Sequence, residues 1–172
     1  MRLLDFPRWW QAAAALAIAL LVQVEFMHYA MFRGAEPSLV LVTVVWYALR
    51  AGMRRAILFG LIAGAIEDFL GGALSGAPTG GAWTIATTFV ALFISALSQR
   101  FFSDSVPVVA AVTILATLIR RLIFWSIMSL EGYPHGYATV HFHQALWEAV
   151  LNAALMVLLM FAARVMLRPR YQ

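Results

Sequence analysis

Apolar runs follow one another along the whole chain, and the arginines fall almost entirely between them. A backbone buried in hydrocarbon must satisfy its own amide and carbonyl groups, which leaves helices and closed β-barrels as the only spanning structures. The runs here are continuous rather than alternating, so they read as helices. Crossing a core of about 30 Å takes about 20 helical residues, so the 172-residue chain holds roughly five or six spans on short loops and no soluble domain. A content of 63% hydrophobic and 12% charged residues lies equally far from that of a soluble protein. The expectation is an all-α polytopic membrane protein with a single integral-membrane domain, residues 1–172. It is a six-transmembrane-helix bundle with spans near 9–32, 37–49, 56–70, 82–97, 106–130 and 138–163.

Charge sets the orientation. Arg2, Arg8, Arg50, Arg54, Arg55, Arg100, Arg164, Arg168 and Arg170 fall on one side of a six-span path. Arg33 alone lies in a turn on the other side, and Arg120 and Arg121 lie within span five. Cytoplasmic loops carry the arginine excess, so both termini are predicted to be cytoplasmic, with Trp9 and Trp10 as interfacial anchors. The same pattern accounts for the net charge of +4 without nucleic acid. The first run is too long for a signal-peptide core and carries Gln23, Glu25 and His28, so it reads as a span. There is no cysteine, which removes disulfides, thiolate nucleophiles and cysteine metal sites.

Within this frame the informative residues are the polar ones. An ionisable side chain kept inside a span is a functional hypothesis by default. Glu67 and Asp68 sit roughly 18 Å along the helix from Arg55, and adjacent helical residues point about 100° apart, so the two acids are not expected to share one site. They either serve the interior or reach headgroups from a helix end. Breaking span five at Arg120 and Arg121 would leave Leu122–Leu130 too short to cross, so the pair belongs to one helix. These arginines either snorkel outwards or pair with Glu25, Glu67, Asp68 or Glu148. In span six, His141, Gln144, Glu148 and Asn152 recur at helical steps and form a stripe that must face protein or water. The embedded polar cluster is therefore Glu25, His28, Glu67, Asp68, Arg120, Arg121, His141, Gln144 and Glu148, gathered towards the outer half. Such a cluster is a ligand cavity, a docking groove or a self-satisfied network.

Two backbone features complete the pattern. Span two is nearer 20 Å than 30 Å long, with Pro37 placed in its first turn. It either continues through Arg50 and Ala51, thins the bilayer or is sheltered by its neighbours. Gly60 and Gly64 have the small-xxx-small spacing that lets another helix approach closely, and the glycine-rich stretch Gly71–Gly81 reads as a loop. Catalytic patterns are absent. His141 and His143 lie on opposite helical faces and do not converge on a metal, Ser75 lacks a nucleophile-elbow setting, and no lysine exists for a phosphate-binding loop. No cofactor is implied.

The succession Glu36, Pro37, Ser38, Leu39, a basic turn, then Gly60, Gly64, Asp68, Gly71 and a loop with Pro78 and Gly80 resembles the rod shape-determining protein MreD family. Ser38 departs from the acid often found after the proline in that family, and the Gly71–Gly81 loop is longer. The resemblance implies a non-enzymatic subunit of the bacterial elongation complex, multi-pass in the cytoplasmic (inner) membrane. It would help to organise or regulate lateral-wall peptidoglycan synthesis and rod shape. The partners implied are an MreC-like bitopic membrane protein and, indirectly, MreB, RodA and a penicillin-binding transpeptidase, besides membrane lipid. A second copy of the chain is a further candidate partner. On this reading Pro37, Gly60 and Gly64 dock the partner's helix. The family is also similar in architecture to the substrate-binding subunits of energy-coupling-factor vitamin transporters, which supplies the alternative of a vitamin-binding subunit. An enzyme acting on lipid-linked precursors is a third reading.

Overall fold

The computed structural model describes residues 9–75, 80–98, 105–132 and 138–166. Six α-helices account for nearly all of them: α1 (Trp9–Phe26), α2 (Leu39–Ala48), α3 (Met53–Ser75), α4 (Ala82–Ser98), α5 (Val106–Leu130) and α6 (Ala138–Met166). Of these, α1, α5 and α6 are long and apolar enough to cross a membrane. The apolar side chains on the perimeter, among them Leu21, Leu58, Ile62, Phe69, Phe89, Leu122 and Leu158, are exposed, which fits a lipid surround rather than water.

The short second helix organises the rest. It is about 15 Å long, half a bilayer core, and Val40, Leu41, Val42, Val44, Val45 and Ala48 on it are fully buried. Helices α3, α4, α5 and α6 follow one another as packed neighbours, and α2 touches each of them as well as α1. One side of α2 packs Leu41, Val42 and Val45 against Val90 and Ile94 of α4, Val109 and Ala116 of α5 and Met156 of α6. The other side packs Val40, Val44 and Tyr47 against Ala12 and Leu16 of α1 and Phe59 and Ala63 of α3. Of the three outcomes open to a short span, shelter by neighbours is the one the fold adopts. Consecutive valines suit that position, since their stiff side chains pack on all faces with little entropy to lose.

Several element ends differ from expectation. The first α-helix stops at Phe26 and a 3₁₀ turn, Met27–Ala30, follows it. The chain then reverses in a two-residue hairpin between Phe32 and Ala35, where Arg33 and Gly34 have φ of 52° and 79°. Positive φ at both central residues matches a primed turn. Pro37 is buried and precedes the helix rather than opening its first turn: Ser38 is the N-cap, its hydroxyl accepting from the Leu41 amide. The third helix runs on through Gly71–Ser75, so the first residues of the expected loop are helical. The sixth extends to Met166. The flanking arginines Arg2, Arg8, Arg100, Arg168 and Arg170 lie outside the described residues.

Candidate functional site: a buried ionic network

The embedded acids do face different ways. Asp68 accepts from the backbone amides of Trp83 (3.1 Å) and Thr84 (2.8 Å) and from the Thr84 hydroxyl (2.5 Å). A helix start leaves its first amides unpaired and carries partial positive charge, so Asp68 acts as the N-cap of α4 from a different helix. Glu67, one residue earlier, turns to the interior and pairs with the Arg120 guanidinium.

Arg120 is the hub. It is only 2% exposed, and each of its nitrogens has a use. Nη2 donates to Glu67, Nε donates to the Thr87 hydroxyl at 3.0 Å, and Nη1 donates to the Ser38 hydroxyl at 3.3 Å. Thr87 in turn donates to Glu67 at 3.5 Å. Snorkelling therefore does not describe Arg120; its charge is neutralised inside.

From Ser38 the network continues. The Ser38 amide donates to Asn152 Oδ1 at 2.6 Å, and Asn152 Nδ2 donates to Thr117 Oγ1 at 3.2 Å. Gln23 Oε1 accepts from the Val40 amide at 3.0 Å and from the Ser38 hydroxyl at 3.5 Å. The first amides of α2 are thus capped by side chains from α1 and α6 as well as by Ser38, although they lie inside the bundle where water is scarce. A second ion pair, Arg121 with Glu148, joins α5 to α6 beside the first. Trp83 lies against both arginines, with the Arg120 and Arg121 guanidinium carbons 4.3 Å and 5.4 Å from its ring centroid. It also stacks on Phe124 at 3.8 Å.

The structure thus unites Glu67, Asp68, Arg120, Arg121 and Glu148 of the expected cluster. His141 is half-buried on α6. Gln144 instead packs its side chain on Gly34 of the hairpin. Glu25 is exposed, and the His28 side chain is outside the described residues. Ser38, Gln23, Thr87 and Trp83 are further members, outside the expected cluster.

Gly60 and Gly64 also find a different partner from the one expected. A Cβ on Gly60 would stand 2.6 Å from Ala91 Cβ and 3.0 Å from the Thr87 carbonyl oxygen. One on Gly64 would stand 2.6 Å from Thr84 Cα and 2.7 Å from the Trp83 carbonyl oxygen. The close approach that their spacing predicts is made within the chain, to α4, and this contact is what brings Asp68 onto the α4 amides. Pro37 is buried as well, so all three residues are covered within this chain. Every buried side-chain nitrogen and oxygen among the described residues has a hydrogen-bond partner.

The family model for rod shape-determining protein MreD matches residues 7–170, nearly the whole chain and all six helices. The chain belongs to the MreD family. No curated protein and no solved structure gives a significant match. MreD membership makes this a rod-shape-determining membrane protein, of a family not known for catalysis. The residues that carried the resemblance now have physical roles in this MreD chain: Gly60 and Gly64 seat α4, and Asp68 caps it.

Proposed function

We propose that the chain is a non-enzymatic inner-membrane subunit of the elongation complex, binding an MreC-like bitopic protein and helping to organise lateral-wall peptidoglycan synthesis. The observation that carries this reading is the family match over residues 7–170. The internal chemistry supports it. Glu67, Arg120, Glu148 and Asn152 bond to one another's helices rather than lining an open chamber, which suits a rigid membrane scaffold more than a small-molecule carrier. In this reading all six helices lie in the membrane with both termini cytoplasmic, and the partner's single helix docks on the exposed apolar perimeter. MreB, RodA and a penicillin-binding transpeptidase are reached through the complex.

The test is purification of the tagged protein from its own membranes in mild detergent, with mass spectrometry of what accompanies it. Recovery of an MreC-like protein at comparable amount is the expected result. Recovery of an ATPase pair, or of a tightly held vitamin, would refute the scaffold reading and make the chain a transport subunit.

A further inference from the structure

Two adjacent arginines in one helix have been put to different uses. Arg120 spends its donors on Glu67, Thr87 and Ser38. Arg121 donates from Nε to Glu148 and makes no other hydrogen bond among the described residues; its side chain is 25% exposed, against 3% for Arg120. A guanidinium carries five N–H donors, so both terminal amino groups of Arg121 remain available.

That is an expensive arrangement for a helix long and apolar enough to cross a membrane, because a cation at that depth is retained only with a partner. Glu148 balances the charge but occupies one edge of the fork. Trp83 sets the level: it opens α4, and tryptophan favours the depth of lipid headgroups. The Arg121 guanidinium lies 5.4 Å from the Trp83 ring centroid, so its free edge is beside a ring of the type that favours the interface. Two parallel N–H groups on a planar fork match two oxygens of a phosphate.

We propose that Arg121, backed by Trp83 and held by Glu148, binds the phosphate of a lipid headgroup in the leaflet nearer the Leu130 end of α5. The two terminal amino groups donate to oxygens of the phosphate, while Nε stays on Glu148. Arg120 takes no part, being closed off inside.

The test uses the full-length protein in maltoside detergent, titrated with phosphatidylglycerol and read by native mass spectrometry. Diacylglycerol, which lacks the phosphate, is the neutral probe, and inorganic phosphate is the soluble one. One phosphatidylglycerol should be retained by the unaltered protein and bound at least about tenfold more weakly by R121Q/E148Q, which removes both charges together and strands neither. R164Q, at the far end of α6, should bind as the unaltered protein does. R121K keeps a cation for Glu148 but loses the fork, and should bind several-fold more weakly. If the double variant does not purify as a single species, R121K alone decides. Undiminished phosphatidylglycerol binding by these variants, or equal retention of diacylglycerol, overturns the proposal. Displacement of the lipid by millimolar inorganic phosphate would assign the site to a soluble anion and overturn the lipid as its source.

Discussion

Replacing Glu67 with Gln leaves a guanidinium with nowhere to go. Arg120 would keep its bonds to Thr87 and Ser38, but both acceptors are neutral hydroxyls and its side chain is 3% exposed. Removing one member of a buried ion pair costs about 3–5 kcal/mol, because the remaining charge stays desolvated without compensation. R120Q should cost a similar amount for the mirror reason: Glu67 keeps only the Thr87 hydroxyl, at 3.5 Å, with its side chain 10% exposed. The double variant E67Q/R120Q removes both charges and can retain amide hydrogen bonds, so it should lose only about 1–2 kcal/mol from weakened bonds to Thr87 and Ser38. The cycle therefore predicts a coupling of at least about 4 kcal/mol, with the double variant more stable than either single one. Reversible unfolding in mixed micelles, followed by tryptophan fluorescence, measures all three. If the two single costs simply add to give the double within about 0.5 kcal/mol, Glu67 and Arg120 are not an energetic pair and the network account fails.

Asp68→Ala should cost about 1–2 kcal/mol through the lost α4 cap, and Asp68→Asn much less, whereas Glu36→Ala, on an exposed side chain, should be near neutral by the same unfolding assay. Gly64→Ala should destabilise by about 1–3 kcal/mol, since the atoms a methyl group meets there are α4 backbone and cannot rotate aside. Its co-purification with a partner should fall only in proportion to the folded fraction, and a selective loss of partner from well-folded protein would restore the docking role to that face. The second ion pair should be asymmetric: R121Q strands Glu148, whose side chain is 2% exposed, and should cost more in unfolding free energy than E148Q, after which Arg121 can turn its charge outwards. Equal costs would contradict the exposure difference.

Much of this was readable in advance where the signal is local. Helix α5 begins and ends where expected, at Val106 and Leu130, because Pro107 just inside the start and the polar Glu131–Gly132 at the end punctuate it. The 100° offset between Glu67 and Asp68 correctly separated their roles, and the helical stripe correctly turned Glu148 and Asn152 inward. What periodicity cannot supply is the identity of the neighbour. Gly60 and Gly64 announced a close helix contact, yet nothing in their spacing distinguishes α4 of the same chain from another protein. Arg120 had four candidate acids, and the choice of Glu67 depends on how α5 lies against α3 and α4, a matter of long-range packing. Pro37 suggested a helix start, but the neighbouring Ser38 offers a hydroxyl that a buried amide needs, and with Ser38 as N-cap the helix begins two residues later, at Leu39.

The shelter of α2 also constrains how the protein is made. A segment of about 15 Å is too short to be held across a bilayer by its own hydrophobicity, so when it leaves the ribosome it has no stable resting place. The Ser38 amide waits for Asn152, which lies 114 residues downstream on α6. Biogenesis must therefore keep an apolar, incompletely capped stretch from escaping or aggregating until α6 arrives, and a chain cut short before α6 has a centre that has not yet formed.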